Sequence, residues 1–283
     1  MSILKVVVTG AAGMLGQDVV RAVRYVNHDV VGVSHDELDV CDAAAVERLM
    51  QAERPDVVVN CAAYTQVDAA QDEPDAAHAI NADGARNVAA GAATVGAGVI
   101  YPSTDYVFDG TKGSPYVESD EIDPRSVYAQ SKAAGERETA AANPRHWVVR
   151  TSWLFGHGGG NFVETMLGLG RELGEVLVVR DQVGCPTYAT HFADALLQLL
   201  EGDDFGLHHI TGGGHCSWYE FAIEIFKQAG VECRVLSCTT DEFPRPAPRP
   251  AYSVLGTERE RAIHLPDWRE GLAGYLADRA VAR

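Results

Sequence analysis

The sequence predicts an α/β fold, a doubly wound parallel sheet accompanied by a smaller mixed α/β lobe, on three observations. Short apolar segments alternate with helical segments over the first half of the chain. The apolar segments are continuous Val/Ile runs, as in parallel strands that are covered on both faces. A glycine-rich segment, Thr9–Gly16, separates the first strand from the first helix. Together these features predict a Rossmann-type sheet.

The first half of the chain supplies the strands and helices of this sheet in alternation. Right-handed crossover connections are expected between successive parallel strands. Asp42 is expected to cap the N-terminus of the second helix. The expected strands are Lys5–Thr9, Val30–Val33, Val57–Asn60, Val99–Ser103 and Trp147–Thr151, and the expected helices are Met14–Val26, Ala43–Ala52, Ala76–Val95 and Val127–Ala142.

After about Thr151 the pattern changes to glycine-rich loops and more widely spaced helices. Phe243–Pro250 carries four prolines and must be extended, because proline lacks the helix donor. We expect a dinucleotide-binding domain at 1–150 and a mostly substrate-binding lobe at 151–283, with some segments returning to the first domain. The expected elements are helices at Asn161–Glu172, His191–Leu200, Trp218–Ala229 and Asp267–Ala280, and a strand at Val176–Arg180.

The amino-acid composition disfavours some classes of binding partner. The 283 residues are 46% hydrophobic, enough for a sizeable core, and 40 acidic against 23 basic residues give a net charge of −17. This charge disfavours a nucleic-acid partner, which requires concentrated positive charge. The run Met1–Val8 leads into a strand without a charged leader or a bilayer-length apolar segment, so we expect no membrane and a cytoplasmic location.

The cysteines and histidines do not predict a metal site. None of the six cysteines is in a CxxC pair, and Cys233 and Cys238 lack zinc-finger spacing. Adjacent residues on a strand point to opposite faces, so His208 and His209 make a poor shared site. We expect buried, reduced thiols and no essential metal.

The glycine-rich segment predicts a dinucleotide site. Gly10, Gly13 and Gly16 follow a strand and open a helix, whose N-terminus offers amide donors and partial positive charge to a pyrophosphate. After the second strand, Asp39 could accept a hydrogen bond from an adenine amino group. Further along, Ala62, Ala63 and Tyr64 could line the dinucleotide, although a plain strand-end turn is the alternative. Asn81 is expected either to support this site or to cap structure locally.

The end of the second strand bears on the choice of cofactor. Ser34 and His35 occupy the place where an acidic residue would bind the ribose 2′-hydroxyl and exclude a 2′-phosphate. No arginine lies nearby in the sequence. The pattern therefore favours NADPH, with NADH tolerated.

Tyr128 and Lys132 predict the chemistry. Four residues apart on a helix, they share a face, and we expect the ammonium to hold the pKa of the phenol below its usual value of about 10. Thr104 closes a strand whose carboxyl end faces the ligand crevice. Thr104 would bind a carbonyl oxygen and Tyr128 would protonate it, while Lys132 would also hold the nicotinamide ribose. The YxxxK spacing also occurs often by chance. In that alternative, Tyr128 is a half-buried aromatic residue and Lys132 is a solvated lysine without a catalytic role.

Longer segments resemble one family. The chain resembles the extended short-chain dehydrogenases/reductases and, more narrowly, the dTDP-4-dehydrorhamnose reductases. This resemblance implies reduction of the 4-keto group of a dTDP-linked 6-deoxy sugar, with a dTDP-sugar as partner. It does not extend to the assembly, for which we expect a monomer or a homodimer. The segments are Ser103–Gly110, Arg150–Gly156, Asp181–Thr187 and Arg249–Leu255.

Where the motifs match, the resemblance also implies roles for individual residues. Trp153 could equally be core packing, and Arg249, which could pair with a diphosphate, could equally be a surface arginine. The implied catalytic set is Thr104, Tyr128 and Lys132; the implied sugar contacts are Thr104, Asp105 and Trp153; and the implied dinucleotide contacts are Gly13, Met14, Leu15, Asp39, Val40, Ala62, Ala63 and Tyr64.

Three other functions are weighed against this one. Sugar 4,6-dehydration needs Thr-Asp-Glu, but this chain has Thr104-Asp105-Tyr106 and so lacks the base. A non-catalytic nucleotide-binding subunit, similar to the regulatory β subunit of methionine adenosyltransferase, need not retain Tyr128 and Lys132. A ketoreductase for another dTDP-deoxysugar would carry almost the same motifs.

Overall fold

The computed structural model describes residues 3–200 and 202–281. Its strands are β1 (Lys5–Thr9), β2 (Asp29–Val33), β3 (Val57–Asn60), β4 (Gly98–Thr104), β5 (His146–Thr151), β6 (Leu154–Phe155), β7 (Glu175–Val179), β8 (Val183–Gly184), β9 (Thr187–Tyr188), β10 (Gly206–His209), β11 (Cys216–Ser217) and β12 (Arg234–Cys238). Its α-helices are α1 (Met14–Tyr25), α2 (Ala43–Glu53), α3 (Pro74–His78), α4 (Ala85–Thr94), α5 (Val127–Ala142), α6 (Phe162–Leu173), α7 (Ala189–Leu199), α8 (Trp218–Ala229) and α9 (Trp268–Val281).

The central sheet is parallel throughout, in the order β10-β5-β4-β3-β1-β2. The valines of β1 and β3 are buried on both faces, which is why their sequences do not alternate. The order reverses between β1 and β3, and such a switch point opens a ligand crevice beyond the carboxyl ends of the strands. The predicted doubly wound α/β fold is confirmed.

Helices cover both faces of this sheet. On one face α1 and α7 pack their apolar residues, among them Val19, Val23, Phe192 and Leu196, against β1 and β3. On the other face α2 and α4 form a second core with Val7, Val58 and Val99 of β1, β3 and β4. Both α7 and β10 come from the second half of the chain, and β10 pairs with β5.

The second half also forms its own core. α6, α8 and α9 pack with the parallel pair β7 and β12 around Phe155, Phe221 and Trp268. Ser217 and Glu220 form a reciprocal capping box that begins α8, and Gly230 ends this helix in the left-handed region. Phe243–Pro250 contains no helix or strand, as its prolines predict.

Several boundaries differ from the sequence predictions. The expected helix Ala76–Val95 begins at Pro74, where proline suits the first turn, and is interrupted by a π-helical turn at Ala79–Gly84. β10 was not predicted, because a short Gly-Leu-His-His segment has no strand signature. Asp42 caps α2 as expected, accepting from the amides of Ala44 and Ala45.

The cysteines are all free, but the expectation that they are buried is only partly right. Cys185, Cys216 and Cys238 are buried, whereas Cys41 is exposed in the turn after Asp39 and the remaining two are half-buried. Within the described ranges, no helix combines the length and the apolar character needed to cross a bilayer.

Candidate active site

A cleft of about 550 Å³ opens at the carboxyl ends of β1, β3, β4 and β5. It lies at the switch point of the sheet, where this fold places its ligands. Predicted site residues that line it are Gly13, Met14, Leu15, Gly16, Ala63, Thr104, Asp105, Tyr128, Lys132 and Trp153.

The glycine loop packs tightly against neighbouring backbone at the start of α1, which requires residues without a Cβ at Gly10 and Gly16. Gly10 has φ +63°, and a Cβ there would lie 2.7 Å from the amide nitrogen of Ala62. A Cβ on Gly16 would lie 2.2 Å from the carbonyl oxygen of Gly10. Gly13 caps α1 without a side-chain hydrogen bond, so the first amides of the helix stay available. This cradle fits a dinucleotide pyrophosphate.

The other predicted dinucleotide residues lie outside the lining of the cleft. Gly10 and Ala62 contact each other behind it. Asp39 accepts from the amide of Cys41, and Val40 is buried against Gly84. The Tyr64 hydroxyl donates to Glu73 at 2.8 Å.

Asn81 lies outside the lining of the cleft and joins the loop after β3 to α5. Its amide group pairs with the backbone of Tyr64 and donates to Ser131 Oγ at 2.9 Å. Its own carbonyl, in the π-helical turn, accepts from the hydroxyl of Tyr101 at 2.8 Å. The turn thus joins the β3 loop, β4 and α5.

The Tyr128 hydroxyl has a raised pKa, contrary to expectation. Burial raises it to about 12; a hydrogen bond with Thr104 lowers it and the charge of Asp105 raises it, both more weakly. Lys132 is not among the groups that act on it. The prediction that the ammonium lowers this pKa is therefore wrong, because removal of the phenol from water dominates.

Lys132 points toward the end of β4 instead. Its ammonium donates to the carbonyl oxygen of Pro102 at 2.7 Å and lies 3.9 Å from the centre of the Tyr101 ring. Burial lowers the pKa of Lys132 to about 7, and the charge of Glu136 acts in the opposite direction. The position of the ammonium is thus set by a backbone oxygen, while burial favours the neutral amine and the Glu136 carboxylate opposes that effect only in part.

A buried ion pair, which the sequence analysis missed, lies beneath these residues. The guanidinium of Arg150 donates to both oxygens of Glu136, at 2.9 and 2.7 Å, and Ser103 Oγ donates to the same carboxylate at 2.5 Å. His209 Nε2 lies 3.4 Å from Arg150 Nη1. This network ties α5 to the ends of β4 and β5. Arg150 in the Arg-Thr-Ser-Trp segment was the available signal.

Trp153 forms one wall of the cleft and is a genuine backbone outlier, with φ +47°. Its indole stacks on that of Trp218, with ring centres 3.5 Å apart, and Gly184 packs against it. Trp218 also lines the cleft and was missed, because the first residue of a distant helix carries no local signal. The paired indoles offer a flat apolar surface.

Arg249 does not line the cleft. Its guanidinium donates to Asp68 Oδ1 at 2.6 Å, and Arg245 binds the other oxygen of the same carboxylate. Asp68 follows cleft residues of the β3 loop, so the ion pair ties the proline-rich segment to the rim. The two arginines hold the pKa of Asp68 well below its usual range.

Two arginines of α1 lie beside β2, a placement that the sequence analysis did not identify. Arg21 and Arg24 of α1 line a groove of about 510 Å³ together with Ala11 and Gly32. α1 packs along β2, so Arg21 and Arg24, five and eight positions after Gly16, lie beside this strand. The sequence analysis considered only residues close to Ser34 and His35 in the chain, and so did not identify this pair.

Asp105 is buried and its carboxylate accepts from the hydroxyls of Thr104 and Ser253. Burial raises its pKa from 3.8 to about 7, and these hydrogen bonds only partly oppose that effect. The folded state therefore binds a proton that the unfolded state releases between about pH 4 and pH 7.

We expect the stability of the protein to fall as pH rises through this window, by on the order of a few kcal/mol. Asp105→Asn should flatten the dependence, so that the variant gains stability relative to wild type at pH 8 but not at pH 4. Urea unfolding at both pH values measures this. Parallel curves for the two proteins would contradict the assignment to Asp105.

The parallel sheet, the glycine cradle and the Thr104, Tyr128 and Lys132 side chains at one cleft define the short-chain dehydrogenase/reductase class of oxidoreductases. A family model described as the RmlD substrate binding domain matches residues 4–281. The chain belongs to this family, and the resemblance seen in the sequence is confirmed.

The most similar proteins match over nearly the whole chain. SpsK of Bacillus subtilis, a spore coat polysaccharide biosynthesis protein, is 41% identical over 280 residues, 98% of this chain and 99% of that protein. A dTDP-4-dehydrorhamnose reductase of Mycolicibacterium smegmatis is 42% identical, over 96% of this chain and 85% of that protein. The crystal structure of the Bacillus anthracis dTDP-4-dehydrorhamnose reductase in complex with NADP has a TM-score of 0.95 and 38% identity, covering 98% of this chain and 100% of that one.

Proposed function

We propose that this protein is an NADPH-dependent reductase of the 4-keto group of a dTDP-4-dehydro-6-deoxy sugar, converting dTDP-4-dehydro-L-rhamnose to dTDP-L-rhamnose. The observation that carries the proposal is the single cleft in which the hydroxyls of Thr104 and Tyr128 and the ammonium of Lys132 lie beside the first turn of α1. The names and the NADP complex of its relatives support the same activity.

The mechanism assigns the proton to Tyr128. When bound, NADPH supplies the hydride that adds to the carbonyl carbon. Thr104 donates a hydrogen bond to the carbonyl oxygen, and Tyr128 transfers its proton to that oxygen as negative charge develops there. A phenol with a pKa of about 12 is protonated at neutral pH, so burial keeps Tyr128 in the form that can donate a proton. Lys132 holds the nicotinamide ribose hydroxyls and adds positive charge beside the proton donor.

The binding roles follow the same arrangement. Asp105 and the Trp153 indole contact the sugar, because an indole suits its apolar face. Arg249 contacts the diphosphate after exchanging its Asp68 partner for a phosphate. The proposed cofactor-binding residues are Gly10, Gly13, Met14, Leu15, Gly16, Asp39, Val40, Ala62, Ala63, Tyr64, Tyr128 and Lys132.

We also propose the division into a dinucleotide-binding domain at 1–150 and a substrate lobe at 151–283. The return of β10 and α7 to the central sheet supports the interleaving of the two. A cytoplasmic location and a monomeric or homodimeric state remain predictions from the sequence.

A coupled turnover experiment tests the activity. The 4-keto-6-deoxy sugar is generated with a dehydratase and a 3,5-epimerase, the protein is added with NADPH or NADH, and the product is identified by mass spectrometry and NMR. We expect dTDP-L-rhamnose and matching NADPH oxidation. A different deoxysugar would identify another ketoreductase, and nucleotide binding without turnover would identify a non-catalytic subunit.

Replacing Lys132 with Met should lower both the rate and the affinity for the nicotinamide nucleotide. Loss of charged hydrogen bonds to the ribose costs about 1.5–3 kcal/mol, or roughly 10- to 100-fold in affinity. Titration with NADPH and steady-state kinetics measure the two effects. Lys227→Met, at an exposed position of α8, should change neither. A Lys132 variant with unaltered affinity would refute the ribose contact.

A further inference from the structure

The groove beside β2 combines features of an anion site. It is formed by α1, the glycine loop and the edge strand, and its lining is Ala11, Gln17, Val20, Arg21, Arg24 and Gly32. The four α1 residues recur at intervals of three, one and three positions, so they form one stripe on the helix surface. Two guanidinium groups therefore face a single groove on a chain whose net charge is −17.

The groove adjoins the expected position of the adenine ribose. The amide of Ala11 donates to the carbonyl oxygen of Val33 at 3.0 Å, which joins the glycine loop to the end of β2. In this fold the ribose 2′-position is recognised at that strand end. Arg21 and Arg24 lie about 10 Å and about 15 Å along the helix axis from Met14. Long side chains on a helix extend toward its N-terminus, which for both arginines is the direction of this strand end.

The acidic residues near the strand end are directed elsewhere. Glu37 accepts from both the amide and the hydroxyl of Ser34, at 2.8 Å each, and these bonds lower its pKa. Asp36 and Glu37 both lie outside the lining of the groove, and among the described residues that line it none is acidic. A 2′-phosphate in the groove would thus meet cationic partners.

The two arginines differ in their present partners. Arg21 pairs with Asp18, a buried carboxylate on the preceding turn of α1, and this contact orients the guanidinium. Asp18 also lies near His157, Thr190 and Asp194, and burial raises its pKa. The side chain of Arg24 is exposed and forms no ion pair or hydrogen bond with the described part of the chain. Arg24 is thus the free cation of the groove.

We propose that Arg24, together with Arg21 oriented by Asp18, recognises the 2′-phosphate of NADPH, so that cofactor selection is carried by α1 and not by the turn after β2. The inference rests on the proposed function for its choice of ligand. Paired arginine forks match the geometry of phosphate oxygens. Neither residue touches the reacting atoms, so their role is in specificity alone.

Nucleotide fragments test this without any turnover. The full-length protein is titrated calorimetrically with 2′,5′-ADP and with 5′-AMP, which differ only in the 2′-phosphate. We expect Arg24→Gln to weaken 2′,5′-ADP binding by roughly 10- to 100-fold, the range of a lost charged hydrogen bond, and to leave 5′-AMP binding within about twofold. The double variant Asp18→Asn, Arg21→Gln removes both charges of the Asp18–Arg21 pair together, and should likewise weaken 2′,5′-ADP binding.

Arg48→Gln on α2 removes an equal charge far from the groove, and should bind both fragments like wild type. In kinetics, Arg24→Gln should lower kcat/KM for NADPH and leave that for NADH unchanged. Unaltered 2′,5′-ADP affinity in both groove variants, equal losses for the two fragments, or a wild type that does not distinguish them would each overturn the proposal. Failure of the keto-sugar reaction itself would leave these titrations informative, so the two proposals fail separately.

Discussion

Tyr128→Phe should lower kcat by about 10²- to 10⁴-fold, the range for loss of a general acid, and weaken NADPH binding by no more than about tenfold, the cost of one neutral hydrogen bond. The variant removes one oxygen from a half-buried ring in the cleft and preserves the ring packing against Tyr106. Single-turnover reduction of the 4-keto sugar measures the chemical step directly. Calorimetric titration with NADPH measures binding.

Tyr106→Phe provides a matched control for this substitution. Its ring centre lies 6.2 Å from that of Tyr128, so it deletes the same atom type from the same cleft without removing the proposed proton donor. We expect its kcat to stay within about tenfold of wild type. Equal rates for the Tyr128 variant and wild type would show that another group delivers the proton.

Glu136→Ala should lower the free energy of unfolding by about 3–5 kcal/mol. Arg150 is 3% exposed, and without Glu136 its guanidinium would be a buried charge without its bidentate partner. Ser103 would lose its acceptor as well. Equilibrium urea unfolding at constant pH measures the change.

Glu138→Ala, two residues later on α5, separates this effect from a general loss of helix stability. Glu138 is about 40% exposed and lies 3.8 Å from Arg86, and pairs of this kind contribute about 0–1 kcal/mol. A loss below about 1 kcal/mol in the Glu136 variant would mean that Arg150 finds other partners, with His209 and the Phe108 ring as its nearest alternatives.

The predictable part of the fold is the part with strong local patterns. Continuous valine runs predicted β1 and β3 to the residue, and α5 and α8 were likewise bounded correctly by their caps and periodicity. β10 was not predicted because it is defined by its pairing with β5, in which partner residues such as Gly206 and Trp147 are 59 positions apart in the chain. The π-helical turn also involves a group that is distant in sequence, because the Tyr101 hydroxyl donates a hydrogen bond to the backbone carbonyl of Asn81.

The site was predictable in its residue types and less so in its electrostatics. The glycine cradle, Thr104, Tyr128 and Lys132 meet at one cleft, as the order of the motifs indicated. The effect of Lys132 on Tyr128 was wrong, because spacing on a helix does not show how far each group is removed from water. The placement of Trp218, Glu136 and the α1 arginines at these sites was recognised only from the folded structure, in which residues distant in sequence surround them.

Local chemistry along the chain was sufficient to establish the alternating α/β architecture, the dinucleotide cradle and the family. These properties depend on backbone preferences and on the periodicity of apolar residues, and both are determined by residues that are close together in the sequence. The pKa values of Tyr128, Lys132 and Asp105, the ion pair beneath them and the pairing of Arg249 with Asp68 were set by folding. They depend on desolvation and on charges brought together from distant segments, and both quantities exist only after the chain has packed.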